Sequence, residues 1–256
     1  MQLDMSAPFA TQLLGWKKLK KSGNLVPNSA DSDSNTSKAL AGSILNFLGV
    51  TADMLLPDTP ENLGPALERA VSIDLTDSLP KADPSRLWHV DHRKVISDFS
   101  QYSHLRRVAD AVKANPTLRT DLGVDYLIQP DVTVGISQKL TAEDLRPFLH
   151  AAVSCKWTIR SDRVQNIRHE FLQMIRHRRG RLPHLVTVTA EPMPSRIAAI
   201  ARGTGEVDAV YHIAFDALRE AVAAVGGRQQ QEDLAECIDQ GRLRPYEELA
   251  STLATW

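Results

Sequence analysis

The stretch AAVSCKWTIRSDR, residues 151–163, decides the fold. Its first part, Ala151–Trp157, is mostly apolar and predicts a short buried strand. Ser161 belongs to a residue type that favours helix N-caps, and it opens a predicted helix, Ser161–His177. The stretch therefore predicts a strand that leads directly into a helix, with the charged Lys156 at the end of the strand.

Strands and helices alternate on both sides of this stretch. The further predicted strands are Tyr126–Ile128, Val132–Val134, Leu185–Ala190 and Val207–Ile213. The further predicted helices are Phe9–Lys20, Ser37–Phe47, Pro60–Leu75, Lys94–Lys113, Pro194–Ala201 and Phe215–Val225. The pattern predicts the α/β class, with a central mixed β-sheet flanked by helices and a helical N-terminal third. Without repeats or long linkers, we expect residues 1–256 to form a single domain.

The composition is that of a globular protein, with 43% hydrophobic residues among 256. Cys155 and Cys237 are too few for a disulfide framework or a four-cysteine zinc site. In Trp88–His92 the two histidines lack a third ligand at zinc spacing. The N-terminus does not have the pattern of a signal peptide, and apolar runs are too short for a membrane helix. These features predict a cytoplasmic protein with reduced thiols.

The formal net charge of -1 excludes a globally basic nucleic-acid binder but hides an uneven distribution. From Lys156 to Arg181, eight Lys and Arg residues face only two acids, Asp162 and Glu170. From Asp216 to Trp256, four Arg residues face eight acids. The distribution favours a phosphate-binding face with an acidic back, and the alternative is a solvated helix face.

Asp131 and Lys156 form the sharpest local signal, a Pro-Asp pair followed 25 residues after the aspartate by a lysine on a predicted strand. The carboxylate can bind a divalent cation, and the lysine can hold the phosphate and the attacking water. Metal-assisted phosphodiester hydrolysis needs both functions. The pattern resembles that of PD-(D/E)xK nucleases, except that Ser154 stands where the acid normally precedes the lysine. Such pairs also arise by chance.

Two glutamates could supply the missing acid. Glu170 lies on the predicted helix that follows the lysine strand, and Glu68 lies on an otherwise largely apolar helix. The alternative for Glu170 is a surface glutamate paired with an arginine of its own helix. For Glu68 the alternative is a position at a helix boundary.

Arg160, Asp162 and Arg163 directly follow the lysine strand and could read base edges. Arginine pairs bidentately with guanine, and a carboxylate accepts from cytosine N4. Two arginines and an aspartate could therefore read a half-site made only of G·C pairs. The alternative for Asp162 is an acidic residue in the first helical turn, where the helix dipole favours it.

Taken together, these residues resemble the NgoMIV-type restriction endonucleases, a branch of the PD-(D/E)xK superfamily with a displaced acid. The resemblance covers nearly the whole chain. It rests on SCKWTIRSDR at 154–163, GRLPH at 180–184, TAEPMPSRI at 189–197, GTGEVDAVYH at 203–212, QYSHL at 101–105, Asp125-Tyr126, Pro130-Asp131 and GPALE at 64–68.

The resemblance implies a restriction-endonuclease fold and assigns catalytic roles. Asp131 and Lys156 match the metal-binding aspartate and the catalytic lysine. Glu170 matches the displaced acid, and Glu68 an additional one. The backbone carbonyl of Cys155 would also face a Mg²⁺ ion.

The resemblance also implies how DNA is read. The family's readers of a central CCGG match Arg160, Asp162 and Arg163, and Arg196 matches a reader of the outer pair, which implies GCCGGC cut after the first G. The family's remaining DNA contacts fall on Asp31 or Asp33, Ser34, and Glu61, which stands where the family has a glutamine.

The implied enzyme is a type II endonuclease that acts on double-stranded DNA as a homotetramer, a dimer of dimers. Two alternatives remain open. One is an endonuclease with the same core and a different outer pair, and the other is a non-cleaving DNA-binding regulator.

Overall fold

The computed structural model describes residues 5–19, 23–52, 62–124, 126–137 and 146–255, without the side chains of 161–163. In this part of the chain the helices are α1 Ala10–Leu13, α2 Asn35–Phe47, α3 Leu63–Ala82, α4 Ser103–Ala114, α5 Leu118–Leu122, α6 Ser161–His177, α7 Pro194–Ala201, α8 Phe215–Val225, α9 Arg228–Asp239 and α10 Glu248–Thr255. The strands are β1 Trp16–Lys18, β2 Leu25–Pro27, β3 Leu87–His92, β4 Val132–Ser137, β5 Phe148–Lys156, β6 His184–Thr189, β7 Ala209–His212 and β8 Leu243–Pro245.

Strands β3 to β8 form a six-stranded mixed sheet in which the spatial order follows the chain order. The pairs β3–β4 and β4–β5 are antiparallel, whereas β5 to β8 are parallel. The parallel strands are joined by helical crossovers: α6 connects β5 to β6, α7 connects β6 to β7, and α8 with α9 connects β7 to β8. The molecule therefore has the predicted α/β architecture, a mixed sheet flanked by helices.

The helices complete the hydrophobic core that the sheet begins. α3 packs against β3, β4, β5 and α10, and α7 packs against α6, β7 and α9. The strand β5 is buried along almost its whole length, as a central strand covered on both faces should be. No helix of the described residues is long and apolar enough to cross a membrane.

The N-terminal third is mostly helical, but one predicted helix, Phe9–Lys20, is wrong. Of the described residues 9–19, only Ala10–Leu13 is helical, and Trp16–Lys18 pairs with Leu25–Pro27 in a two-stranded hairpin. The indole of Trp16 donates to the carbonyl of Val50 at 3.0 Å, which ties the hairpin to the core. These long-range contacts outweigh the local helical periodicity.

The strand predictions also needed correction in the central sheet. Tyr126–Ile128 is not a strand. Two strands that were not predicted, Leu87–His92 and Leu243–Pro245, form the edge strands β3 and β8. Residues of β3 are mostly half-buried, so the strand lacks the strong apolar signal of a central one.

Candidate active site

The sheet topology brings four chain segments to one edge. The carboxyl ends of β5 and β6 lie at the same edge because these strands are parallel. Since β4 runs antiparallel to β5, its amino end lies there too, with Val132 opposite Val153. The carboxyl end of β3 joins them because His92 pairs with Val132. Segments from distant parts of the sequence thus meet at the end of β5.

Asp131 and Lys156 are brought into direct contact at this edge. Asp131 Oδ2 accepts a hydrogen bond from Lys156 Nζ at 2.7 Å and from the backbone N–H of Cys155 at 2.7 Å. The hydroxyl of Ser154 lies 3.4 Å from the same oxygen. Ser154 and Lys156 lie on the same face of β5, because side chains two residues apart in a strand do. The ion pair is only partly exposed, with 25% of the lysine side chain and 18% of the aspartate accessible.

Glu170 lies near this pair on α6, two and a half turns into the helix. Burial raises the pKa of Glu170 to about 7, helped by the negative charge of Asp131 and opposed by the positive charge of Lys156. Glu170 is half-buried, and the charges that shift its pKa are those of Asp131 and Lys156.

Glu68 reaches the same edge from α3 and is held by two residues at the end of β3. Its Oε2 accepts from Arg93 Nε at 2.8 Å and lies 2.9 Å from His92 Nε2, and its Oε1 accepts from Arg93 Nη2 at 3.1 Å. Burial opposes ionisation, but the hydrogen bonds from Arg93 and His92 outweigh it and lower the pKa of Glu68. The backbone N–H of Arg93 also donates to the carbonyl of Asp131 at 3.0 Å. Neither His92 nor Arg93 was identified from the sequence as a partner of Glu68.

A groove of about 500 Å³ opens beside the end of β5. The charged side chains that line it are Lys17, Asp31, Glu68, Lys156, Arg160 and Arg196. It therefore joins the candidate catalytic lysine to two of the candidate base-reading arginines. Burial lowers the pKa of Lys17, the lysine that lines the groove from the N-terminal hairpin.

Arg196 and Asp31 face each other across the groove. Arg196 Nη2 donates to Asp31 Oδ2 at 2.5 Å, and this hydrogen bond lowers the pKa of Asp31. Asp33 is exposed, and its backbone N–H donates to Asp31 Oδ1 at 3.1 Å. Ser34 is the N-cap of α2, where its hydroxyl accepts from the backbone N–H of Ser37 at 3.1 Å. Of the two aspartates left open by the sequence, the structure brings Asp31 to Arg196.

Glu191 is a buried carboxylate that sequence reasoning did not single out. It follows β6 in the TAEPMPSRI segment and is 0% exposed. Its Oε2 accepts from the backbone N–H of Ile159 at 2.7 Å, and its Oε1 accepts from that of Met193 at 3.1 Å. Burial raises the pKa of Glu191 to about 7, although both backbone hydrogen bonds and Arg196 lower it.

The helix α6 begins at Ser161, as predicted, but Ser161 is not its N-cap. Arg160 occupies the N-cap position without a side-chain cap hydrogen bond. Asp162 and Arg163 lie in the first turn, and their side chains are outside the described part of the structure. Glu61 is also outside the described residues.

The described basic side chains between Lys156 and Arg181 do not all lie at the groove. Lys156 and Arg160 lie at the groove, whereas Arg176 and its basic neighbours follow at the other end of α6. A helix of 17 residues separates the two ends by about 25 Å. Charge counting along the sequence could not show this division.

Two comparisons with known proteins point to the same family. The family model described as NgoMIV restriction enzyme matches residues 16–145 and 135–255. The Type II restriction enzyme NgoMIV of Neisseria gonorrhoeae is 35% identical over 276 aligned positions, covering 96% of this chain and 96% of that protein. The chain belongs to the NgoMIV restriction enzyme family.

Membership of the NgoMIV family makes the chain a type II restriction endonuclease, a site-specific deoxyribonuclease whose substrate is DNA. Type II enzymes generally use a divalent metal ion. The stretch SCKWTIRSDR, on which the resemblance rests, coincides with the edge at which Lys156 meets Asp131 and at which α6 begins.

Proposed function

We propose that this enzyme cuts double-stranded DNA at GCCGGC after the first G and leaves 5′ CCGG overhangs. The observation that carries the proposal is the ion pair of Lys156 with Asp131, which adjoins a groove that also contains Arg160 and Arg196. Phosphate chemistry and base reading thus share one surface. A non-cleaving regulator would have no need of the buried Glu68 and the half-buried Glu170 beside this pair.

We infer that Mg²⁺ is the metal ion, and the residues present fit it. All hydrogen bonds that the described residues make to the Asp131 carboxylate reach Oδ2, which leaves Oδ1 available for a hard cation. No group of three or more His, Cys, Asp or Glu side chains in the described residues forms a dedicated metal cage. This suits Mg²⁺, which keeps several waters and needs only one or two carboxylates besides the substrate phosphate. When bound, it would act as a Lewis acid on the scissile phosphate and its attacking water.

The side chains around the metal position have separate tasks in this proposal. Asp131 would be the metal-binding carboxylate, with the peptide of Cys155 beside it. The ammonium group of Lys156 would hold a phosphate oxygen and stabilise the negative charge that develops in the transition state. Ser154 stands where related nucleases have an acidic residue, and Glu170 and Glu68 would provide the carboxylates in its place. With its pKa near 7, Glu170 can gain or lose a proton at neutral pH.

Base reading in this proposal uses the starts of α6 and α7. Arg160, Asp162 and Arg163 would read the CCGG core in the major groove. Arg196 would donate to the outer guanine, and Asp31 would accept from its partner cytosine. In the free protein these two side chains satisfy each other, and an outer G·C pair offers the acceptor and the donor that replace this contact.

Three further assignments belong to the proposal. The enzyme would act as a tetramer, as the resemblance implies. Ser34 and Glu61 would be secondary DNA contacts, and a carboxylate at position 61 cannot donate to base acceptors as a glutamine does. The cytoplasm, where DNA is the substrate and thiols stay reduced, would be its compartment.

The test is digestion of a sequenced plasmid by the purified enzyme with Mg²⁺, followed by mapping of both ends of every cut. We expect cuts only at GCCGGC, each one nucleotide into the site on both strands. Plasmids in which the outer pair is changed and the core is retained serve as control substrates. Cutting at CCGG sites with any outer pair would overturn the proposed six-base site. Specific binding without cutting would overturn the proposal that the protein cleaves DNA.

A further inference from the structure

Glu191 has partners that no catalytic role explains. Its carboxylate is buried, and both oxygens accept hydrogen bonds from backbone N–H groups of two different segments, those of Ile159 and Met193. Its Oε1 also lies 3.8 Å from Arg196 Nη1. A buried carboxylate is costly unless it is paired and hydrogen-bonded, so these contacts fix its surroundings closely.

Both backbone partners lie next to the candidate base-reading residues. Ile159 directly precedes Arg160, which is the N-cap of α6. Met193 is the N-cap of α7, the helix that carries Arg196. The two segments are joined in the sequence only through α6 and β6, so their relative position depends on tertiary contacts such as this carboxylate.

We propose that Glu191 is a positioning residue for site recognition, which sets the starts of α6 and α7 relative to each other so that the core and the outer base pair are read together. The inference rests on the proposed function, because it needs Arg160 and Arg196 to read bases. Glu191 itself does not contact DNA in this proposal. It acts through the Ile159 and Met193 peptides and through the charge that it places beside Arg196.

A purely structural role makes a different prediction. If Glu191 only satisfied two buried N–H groups, its loss would lower stability and leave base discrimination unchanged. A positioning role predicts that discrimination falls at the core and at the outer pair in the same variant. The reason is that a small displacement of either helix start spoils the geometry of a bidentate contact.

The test compares Glu191→Gln with the wild-type enzyme and with Asp233→Asn as a matched control. In the Glu191→Gln variant the new amide nitrogen would face a backbone N–H donor, so one of the two anchors is lost while the size is kept. Asp233 is also a buried carboxylate beside an arginine, Arg202 at 2.7 Å, but it does not line the groove. Binding is measured without metal to the cognate duplex, to duplexes changed in the core or the outer pair, and to unrelated DNA, together with hydrogen exchange at Ile159 and Met193.

We expect Glu191→Gln to lose about tenfold in discrimination at both positions, with faster exchange at Ile159 or Met193 and unchanged binding to unrelated DNA. Asp233→Asn should keep full discrimination. If Glu191→Gln does not fold, Glu191→Asp, which keeps the charge and shortens the reach, should show the same joint loss. Full discrimination in the folded variant, or a loss at one position only, would overturn the inference. If the wild-type enzyme itself does not discriminate between the cognate duplex and the changed duplexes, the proposed function fails, and the inference about Glu191 fails with it.

Discussion

At the scale of single residues, the carboxylates at the edge of the sheet are held in position by backbone N–H groups as well as by ion pairs. Asp131 accepts from the N–H of Cys155 as well as from Lys156. Glu191 has two backbone donors, Ile159 and Met193. Hydrogen bonds from backbone N–H groups to a carboxylate are charge-assisted and have fixed geometry, so the oxygens are held in place before a ligand arrives.

His150, on β5, gives a prediction about pH and stability. Its Nε2 lies 2.7 Å from the carbonyl of Leu253, and burial lowers its pKa to about 4. In the unfolded chain the imidazole of His150 becomes protonated near pH 6.5, whereas in the folded protein it stays neutral down to about pH 4. The free energy of unfolding should therefore fall as the pH drops from 6.5 to 4, by up to about 1.4 kcal/mol per pH unit from this group.

The measurement is urea unfolding at several pH values for the wild-type protein and His150→Gln, whose amide can still donate to Leu253. The variant should show a shallower fall between pH 6.5 and 4. Glu170 and Glu191, whose pKa values are raised to about 7, favour folding as the pH falls in this range, so only the difference between the two proteins is diagnostic. Parallel curves for the two proteins would contradict the assignment to His150.

At the scale of elements, the helix α6 unites the candidate acid and the candidate base readers. Its first turn carries Asp162 and Arg163, and Glu170 follows two turns later. Phe171, fully buried, anchors the same helix in the core. The proposed chemistry and the proposed recognition would thus share one rigid element.

Asp162→Asn separates the reading role of this helix start from a helix-opening role. The substitution keeps the shape but places a donor where the cytosine amino group also donates. A dipole role alone predicts a stability loss of about 0.3–1 kcal/mol and unchanged specificity. We expect specific binding to CCGG to collapse while the melting temperature stays nearly unchanged, as measured by equilibrium binding and thermal unfolding. Efficient cleavage of the cognate site by this variant would leave Asp162 as a helix-opening residue.

The elements that were predictable from the sequence are those with strong local periodicity. Ser161–His177 and Phe215–Val225 have the predicted bounds, because a buried apolar face repeats along each helix. The hairpin that starts at Trp16 and the edge strand Leu87–His92 escaped prediction, because pairing with distant segments defines them.

The same distinction holds for the candidate site. Asp131 and Lys156 could be identified from the sequence because they belong to a recognisable pattern, a Pro-Asp pair followed by a lysine on a predicted strand. Other contacts of the site join residues that are 24 or more positions apart in the sequence. These are the contacts of Glu68 with His92 and Arg93 and that of Glu191 with Ile159. Only the packing of α3 on β3 and the pairing of β5 with β6 bring these residues together.

At the scale of the whole molecule, one edge of the mixed sheet gathers the candidate catalytic groups and the two described candidate base-reading arginines, Arg160 and Arg196. The antiparallel β4 delivers Asp131 there, and the parallel β5 and β6 deliver Lys156 and the segments that start α6 and α7. A palindromic site has two such half-sites, so a two-fold symmetric dimer would present this edge to each of them.

The proposed tetramer predicts a preference for DNA with two sites. Two dimers back to back would each hold one site, so a plasmid with two sites should be cut faster than one with a single site. Sedimentation at working concentration, together with cleavage rates on both plasmids, provides the test. Dimers only, with equal rates on the two plasmids, would contradict the tetramer.

The central claim is that the pair of Asp131 and Lys156 performs the cleavage, and its most direct test is a comparison of binding and cutting on a GCCGGC duplex with Mg²⁺. Asp131→Ala and Lys156→Ala should lose cleavage by on the order of a thousandfold or more and keep specific binding, because neither side chain reads bases. Lys94→Ala, which removes a lysine paired with Asp91 at 2.9 Å outside the groove, should cut like the wild-type enzyme. Cleavage by Asp131→Ala at a rate near that of the wild type would contradict the account.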